Sequence, residues 1–147
     1  IIGGNMESKL NQFLADLSVL AKKVQNFHWN ITGRGFFSIH AQLDKMYEDL
    51  NEVVDEVAER VLAIKGRPLS TLKSYLEISK IKEGENKSVI IDEALKTLIS
   101  DFQFIVDEAK EVKACADKNN DYGTSAMMDE YIIKYEKLLW MLNSFEY

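Results

Sequence analysis

The sequence has few residues that interrupt helices, little cysteine and no long apolar run. Its 147 residues include one proline (Pro68), seven glycines and one cysteine (Cys115). A single cysteine excludes a disulfide within the chain and is typical of a reducing compartment, so we expect a cytoplasmic protein. No stretch approaches the roughly 20 apolar residues of a membrane-spanning helix. The first ten residues also lack the pattern of a signal peptide, so we expect no membrane insertion.

The charge balance is acidic, with a formal net charge of −6. Such a surface is a poor partner for phosphate backbones, although the net charge does not exclude a local basic patch. A hydrophobic content of 46% and a charged content of 29% are typical of one globular domain. We expect residues 1–6 to be a cloning remnant or a disordered N-terminus, and residues 7–147 to form the domain.

Helical spacing dominates the apolar pattern, and no segment alternates as a strand would. The pattern predicts four long helices, with apolar stripes over residues 10–31, 37–64, 89–112 and 127–145. Gly66 and Pro68 should end the second helix. We expect Ser88 to open the third helix and Thr124 to cap the fourth.

The connection between the second and third helices is too long for a tight hairpin. It contains a short helix candidate, "STLKSYLEIS", which Ser70 or Thr71 should cap. Four helices with one long crossover predict an all-α, ferritin-like four-helix bundle with a short extra helix in the crossover.

The only two histidines, His28 and His40, lie in one short segment. No glutamate precedes either histidine by three residues, which excludes the Glu-x-x-His pairs of the ordinary di-iron bundle. On the second helix, the pairs His40 with Asp44 and Asp55 with Glu59 are each four residues apart. Each pair therefore shares a helix face and is a plausible half of a metal site.

The two half-sites cannot meet within one chain. Eleven residues separate Asp44 from Asp55, which is about 16 Å along a helix, whereas metal–ligand bonds are only about 2 Å long. Two copies of the second helix, packed antiparallel about a two-fold axis, would bring the half-sites together. His28, at the end of the first helix, would close each site.

The segments "HWNITGRGFFSIHAQLD" and "VDEVAERVLAIKGRP" resemble the Dps family (DNA-binding proteins from starved cells), which are small ferritins. The spacing H-x11-H-x3-D-x10-D-x3-E is similar to the ferroxidase pattern of that family. The resemblance covers nearly the whole chain from Leu10, including "GRPLSTLKSYLEIS" and "EKLLWML".

This resemblance implies a homo-oligomeric hollow shell of twelve subunits that oxidises Fe(II), commonly with hydrogen peroxide, and stores ferric mineral. By the same resemblance, His28 of one subunit and Asp55 and Glu59 of its mate hold the tighter iron. His40 and Asp44 serve the second iron, and Glu59 bridges the two. The same ligand chemistry would accept Zn(II) or Mn(II).

Several alternatives stay open. Salt bridges with Lys45 or Arg60 would explain the carboxylates, but not the histidines. Trp29 is expected to be a packing residue rather than a radical trap. Ala126 replaces an aspartate that lines an iron-entry pore in many relatives. The remaining candidates are either pore carboxylates or residues that complement a helix dipole, namely Asp117, Asp121 and Asp129.

A DNA-compacting shell is the alternative function. Relatives that coat DNA typically use a flexible lysine-rich tail, whereas only Lys9 precedes the first helix here, beside Glu7. The C-terminal "NSFEY" contains no basic residue. Twelve acidic chains would also repel a polyanion, so we expect no DNA binding.

Overall fold

The computed structural model describes residues 2–145, with side chains from residue 6 onward. It contains five helices and two very short strands within that range. In chain order they are α1 (Ile2–Asn30), β1 (Ile31–Thr32), α2 (Phe36–Ala63), α3 (Leu72–Ile78), β2 (Val89–Ile90), α4 (Ile91–Lys118) and α5 (Tyr122–Ser144). No helix in these residues is both long enough and apolar enough to cross a membrane.

Four long helices form a bundle in which α1 packs against α2, α4 packs against α5, and α1 also contacts α4. Their apolar stripes meet in one core, whose largest fully buried side chains include Phe13, Phe102 and Tyr135. The short helix α3 lies in the crossover and contacts α1. The predicted ferritin-like four-helix bundle is therefore confirmed.

The end of α2 has the geometry expected of a helix stop. Lys65 has a left-handed φ of 74°, and the N–H of Gly66 donates to the carbonyl of Val61 at 2.8 Å. A Cβ at Gly66 would lie only 2.8 Å from the carboxyl carbon of Glu7. A side chain at this position would therefore displace the flexible Glu7 side chain, whose carboxylate accepts from the N–H of Arg67 at 3.0 Å.

The expectation of no strand was wrong. Ile31 and Thr32 pair in parallel with Val89 and Ile90, so β1 and β2 tie the end of α1 to the start of α4. Because Val89 and Ile90 are extended, α4 begins at Ile91 rather than at Ser88. A pairing of two residues on each side is too short to produce an alternating pattern.

The caps were predicted with mixed success. Thr71 caps α3, as expected, by accepting a hydrogen bond from the N–H of Ser74. Thr124 does not cap α5, because Asp121 occupies the cap position and accepts from the N–H of Thr124. At the N-terminus, α1 begins at Ile2 and the Met6 side chain is fully buried, so Met6 belongs to the packed domain.

Candidate metal centre

The chain reverses direction between α1 and α2 within residues 31–35. Gly33 and Gly35 have φ values of 126° and 88°, which residues with side chains rarely adopt. This turn places His28, in the last turn of α1, beside His40, in the second turn of α2. Their rings stack with centroids 3.8 Å apart and planes 10° from parallel.

The two histidines also form a reciprocal pair of hydrogen bonds. Nδ1 of His28 lies 2.7 Å from the carbonyl oxygen of His40, and Nδ1 of His40 lies 2.7 Å from the carbonyl oxygen of His28. A carbonyl only accepts, so each Nδ1 must carry the proton. In the neutral rings, both Nε2 atoms therefore keep a lone pair, as in metal-binding histidines that donate their other ring N–H to a carbonyl.

The three candidate carboxylates, Asp44, Asp55 and Glu59, are exposed on α2. Within residues 2–145, none of them makes a side-chain hydrogen bond or an ion pair. The salt bridges to Lys45 and Arg60 that offered an alternative explanation are not formed among these residues. Arg60 pairs with Asp121 instead, at 2.7 Å. These carboxylates are thus open to a ligand from outside the chain.

The chain brings His28 and His40 together but leaves Asp55 and Glu59 further along α2. Among the described residues there is no group of three or more His, Cys, Asp or Glu side chains that could hold a metal ion. What one chain presents is a prearranged histidine pair and separate, unpaired carboxylates.

Two other acidic residues on α2 have partners that the sequence did not reveal. Tyr131 donates to Glu56 at 2.7 Å, and Tyr135 donates to Asp49 at 3.1 Å. Burial, followed by these carboxylates, raises the pKa of both tyrosines. Through these hydrogen bonds, Glu56 and Asp49 connect α2 to α5. The two tyrosines are four residues apart on α5, and the two carboxylates are seven residues apart on α2. Each pair therefore lies on one helix face, and this spacing is the sequence signal that could have revealed the contacts.

A buried acidic pair lies between α1 and α4. Asp16 is fully buried and accepts from Ser79 Oγ at 2.8 Å and from the N–H of Lys80 at 2.6 Å. Glu108 is 8% exposed and forms a side-chain hydrogen bond with Asp16. Burial, this hydrogen bond and the charge of Asp16 raise the pKa of Glu108 to about 9. Glu108 therefore carries a proton at neutral pH. Asp16 accepts hydrogen bonds from Ser79 and Lys80 in the crossover.

The candidate pore residues have different surroundings. Asp121 is buried, and it binds the Arg60 guanidinium and both the hydroxyl and the N–H of Thr124. Burial opposes its ionisation, but the hydrogen bonds from Thr124 and the Arg60 charge outweigh burial and lower the pKa of Asp121. This capping role supports the helix-terminus interpretation for Asp121. Asp117 accepts from Ser125, and Asp129 pairs with Lys113 at 3.0 Å.

The expected packing role of Trp29 is not realised within the chain. Its side chain is 62% exposed, and the ammonium of Lys22 lies 5.8 Å from its ring centroid. The helical spacing of apolar residues cannot distinguish a buried aromatic at a helix end from an exposed one.

The fold and the comparisons with known proteins define a ferritin-like protein. The family model described as a ferritin-like domain matches residues 7–145. The crystal structure of a Dps protein from Vibrio cholerae is described as a member of the ferritin-like diiron-carboxylate superfamily. It superposes with a TM-score of 0.94 at 34% identity, covering 98% of this chain and 90% of that one.

Relatives narrow the assignment further. "DNA protection during starvation protein 2" from Bacillus anthracis is 37% identical over 139 residues, covering 92% of both chains. A Listeria innocua Dps variant, in which two histidines twelve residues apart are replaced by glycine, has a TM-score of 0.92 at 33% identity. It covers 95% of this chain and 93% of that one. This chain belongs to the Dps family, and that membership supports a general role in iron storage and protection.

Proposed function

We propose that this protein is a ferroxidase that oxidises Fe(II) at centres shared between two subunits and stores the ferric product in a hollow shell. The observation that carries the proposal is the reciprocal His28–His40 pair, which leaves both Nε2 atoms available as ligands. Family membership supports iron as the metal, and cytoplasmic iron detoxification as the setting. Zn(II) and Mn(II) would compete for the same ligands.

The proposed centre combines ligands from two chains. His28 of one subunit and the partner's Asp55 and Glu59 bind the tighter iron. His40 and Asp44 bind the second iron, and Glu59 bridges the two positions. The spacing along α2 supports this division, because Asp44 and Asp55 are about 16 Å apart along a helix.

The chemistry at such a centre is a two-electron reaction. Each of two Fe(II) ions loses one electron to the same hydrogen peroxide molecule, which takes up two protons and yields two water molecules. Because both electrons are delivered together, the O–O bond breaks without release of a hydroxyl radical. The histidine pair positions ring nitrogens at one end of the site, and the carboxylates offset the positive charge of the ions.

Exposed apolar side chains support association with a second copy. Helix α3 has no buried residue, and its Leu72 and Leu76 are 77% and 51% exposed. Large apolar side chains in an acidic surface are typical of contact surfaces. We propose that these residues are covered in the assembly, which the family resemblance implies to be a dodecamer.

Co-assembly of two inactive variants tests the shared centre. One variant carries His28→Gln and His40→Gln, and the other carries Asp55→Asn and Glu59→Gln. Neither alone should oxidise Fe(II) rapidly with hydrogen peroxide. In a mixed dimer, one site combines both defects while the other combines both intact halves. Unfolding and refolding the variants together should therefore restore a clear fraction of wild-type activity.

A matched control replaces the same number of exposed carboxylates on the same helix, with Glu48→Gln and Glu52→Gln. This variant should keep the initial rate of Fe(II) oxidation, since neither residue is a proposed ligand. Mass spectrometry of differently labelled variants would establish that mixed dimers form. If mixed dimers form without any recovery of activity, the shared centre is wrong.

A further inference from the structure

The imidazole of His40 stacks with two aromatic rings. The ring of His28 lies on one face, with centroids 3.8 Å apart. The ring of Phe36 stacks on His40, with centroids 4.9 Å apart and planes 19° from parallel. Phe36 is the first residue of α2 and lies one turn before His40, so the helix itself aligns the two side chains.

The two kinds of contact constrain different motions of the imidazole. The hydrogen bond from Nδ1 of His40 to the carbonyl of His28 anchors one atom of the ring. A single anchored atom leaves the ring free to tilt, whereas flat contacts set its plane. The plane determines where Nε2 points, and that direction matters because a metal–ligand bond is only about 2 Å long.

The adjacent phenylalanine provides an internal contrast. Phe37 is 88% exposed and meets Phe36 edge-on, with centroids 5.7 Å apart and planes at 75°. None of the ring contacts within residues 2–145 joins Phe37 to either histidine. The two neighbouring phenylalanines therefore have the same chemistry but different relationships to the candidate ligands.

We infer that Phe36 is a positioning residue for the second metal position, the one that His40 and Asp44 serve. This inference rests on the proposed function, because it assigns Phe36 to one of the two iron positions of that centre. Phe36 acts through His40, by holding the imidazole plane so that Nε2 points toward the metal. It does not contact the metal, and its removal should weaken one metal position selectively.

The test uses Phe36→Leu, which keeps an apolar side chain but removes the flat ring face. Phe36→Tyr retains the ring and serves as the rescue variant. Phe37→Leu is the matched control, since it makes the same substitution one residue away. Titration of the assembled proteins with Co(II), followed by calorimetry and by the visible spectrum, resolves the two metal positions without any turnover.

An aromatic stack contributes about 0.5–1.5 kcal/mol, so Phe36→Leu should weaken one Co(II) position by about 2- to 10-fold. The other position should be unchanged, and Phe36→Tyr and Phe37→Leu should both bind like wild type. Light scattering would verify that each variant assembles. If Phe36→Leu does not assemble, Phe36→Met takes its place, because the flexible methionine side chain fills a similar space.

The outcomes separate the inference from the proposed function. Wild-type protein that binds fewer than two Co(II) ions per chain would overturn both. Wild-type binding at two positions, with no change in Phe36→Leu, would overturn the positioning role alone. Equal weakening of both positions, or equal weakening by Phe37→Leu, would also overturn it, because a general structural disturbance would then account for the effect.

Discussion

His28 and His40 each donate their Nδ1–H to the other residue's backbone carbonyl, at 2.7 Å in both directions. The pairing is symmetric although the two residues lie on different helices. It determines the tautomer of both rings and leaves both Nε2 atoms free. In the proposed centre, this arrangement would prepare both imidazoles as ligands before a metal binds, which would lower the cost of organising the site.

The tautomers can be measured directly because the chain contains only two histidines. In metal-free protein labelled with ¹⁵N-histidine, at about pH 8.5 where imidazoles are ordinarily neutral, both rings should show a protonated Nδ1 and an unprotonated Nε2. Solid-state NMR suits this measurement, since it tolerates a large assembly. A protonated Nε2 on either neutral ring would contradict the reciprocal pairing.

Glu108 should make stability depend on pH. Its pKa is raised from an ordinary value of 4.5 to about 9, so the folded state retains a proton that the unfolded state has lost. The stabilising contribution of this proton is complete below about pH 4.5 and is lost as the pH rises to about 9. Across this window the free energy of unfolding should fall by about 1.4 kcal/mol per pH unit from this group.

Glu108→Gln provides the comparison that isolates this effect. Its amide can still donate to Asp16 but cannot ionise, so the variant should gain stability relative to wild type as the pH rises from 6 to 9. The other charged groups that act on Glu108, Lys80 and Glu111, are unchanged in this variant. Urea unfolding at fixed protein concentration measures the difference. Glu111→Gln is an exposed change on the same helix that keeps Glu108, so its stability should follow that of wild type across this pH range; parallel curves for wild type and Glu108→Gln would contradict the protonated pair.

We expect the purified protein not to retard DNA at neutral pH and about 150 mM salt, since long-range repulsion from an acidic shell is only partly screened there. The net charge of −6 per chain is the basis of this expectation. A gel-shift assay with linear duplex DNA measures this in monovalent salt alone. A second assay with Mg²⁺ added at about 5 mM detects bridging of protein and DNA by divalent ions. Clear retardation in monovalent salt would show that a local basic patch overcomes the net charge.

The sequence by itself determined the helices and the crossover, because helix formation depends on neighbours three and four residues apart. Apolar spacing predicted the long helices, and the stop at Gly66 followed from local chemistry. The same local logic selected His40 with Asp44 and Asp55 with Glu59 as pairs that share a face. It also gave Ser70 and Thr71 as the two candidate caps of α3, and Thr71 is the cap.

Tertiary structure decided which distant residues meet. The β1–β2 pairing joins Ile31 to Val89, and the Asp16–Glu108 contact joins α1 to α4. Neither has a periodic signature in the sequence, because each depends on how separate helices pack. The reciprocal bonds of His28 and His40 arise in the same way. The turn through Gly33 and Gly35 brings two helix ends together, and only then can each imidazole reach the other's carbonyl oxygen.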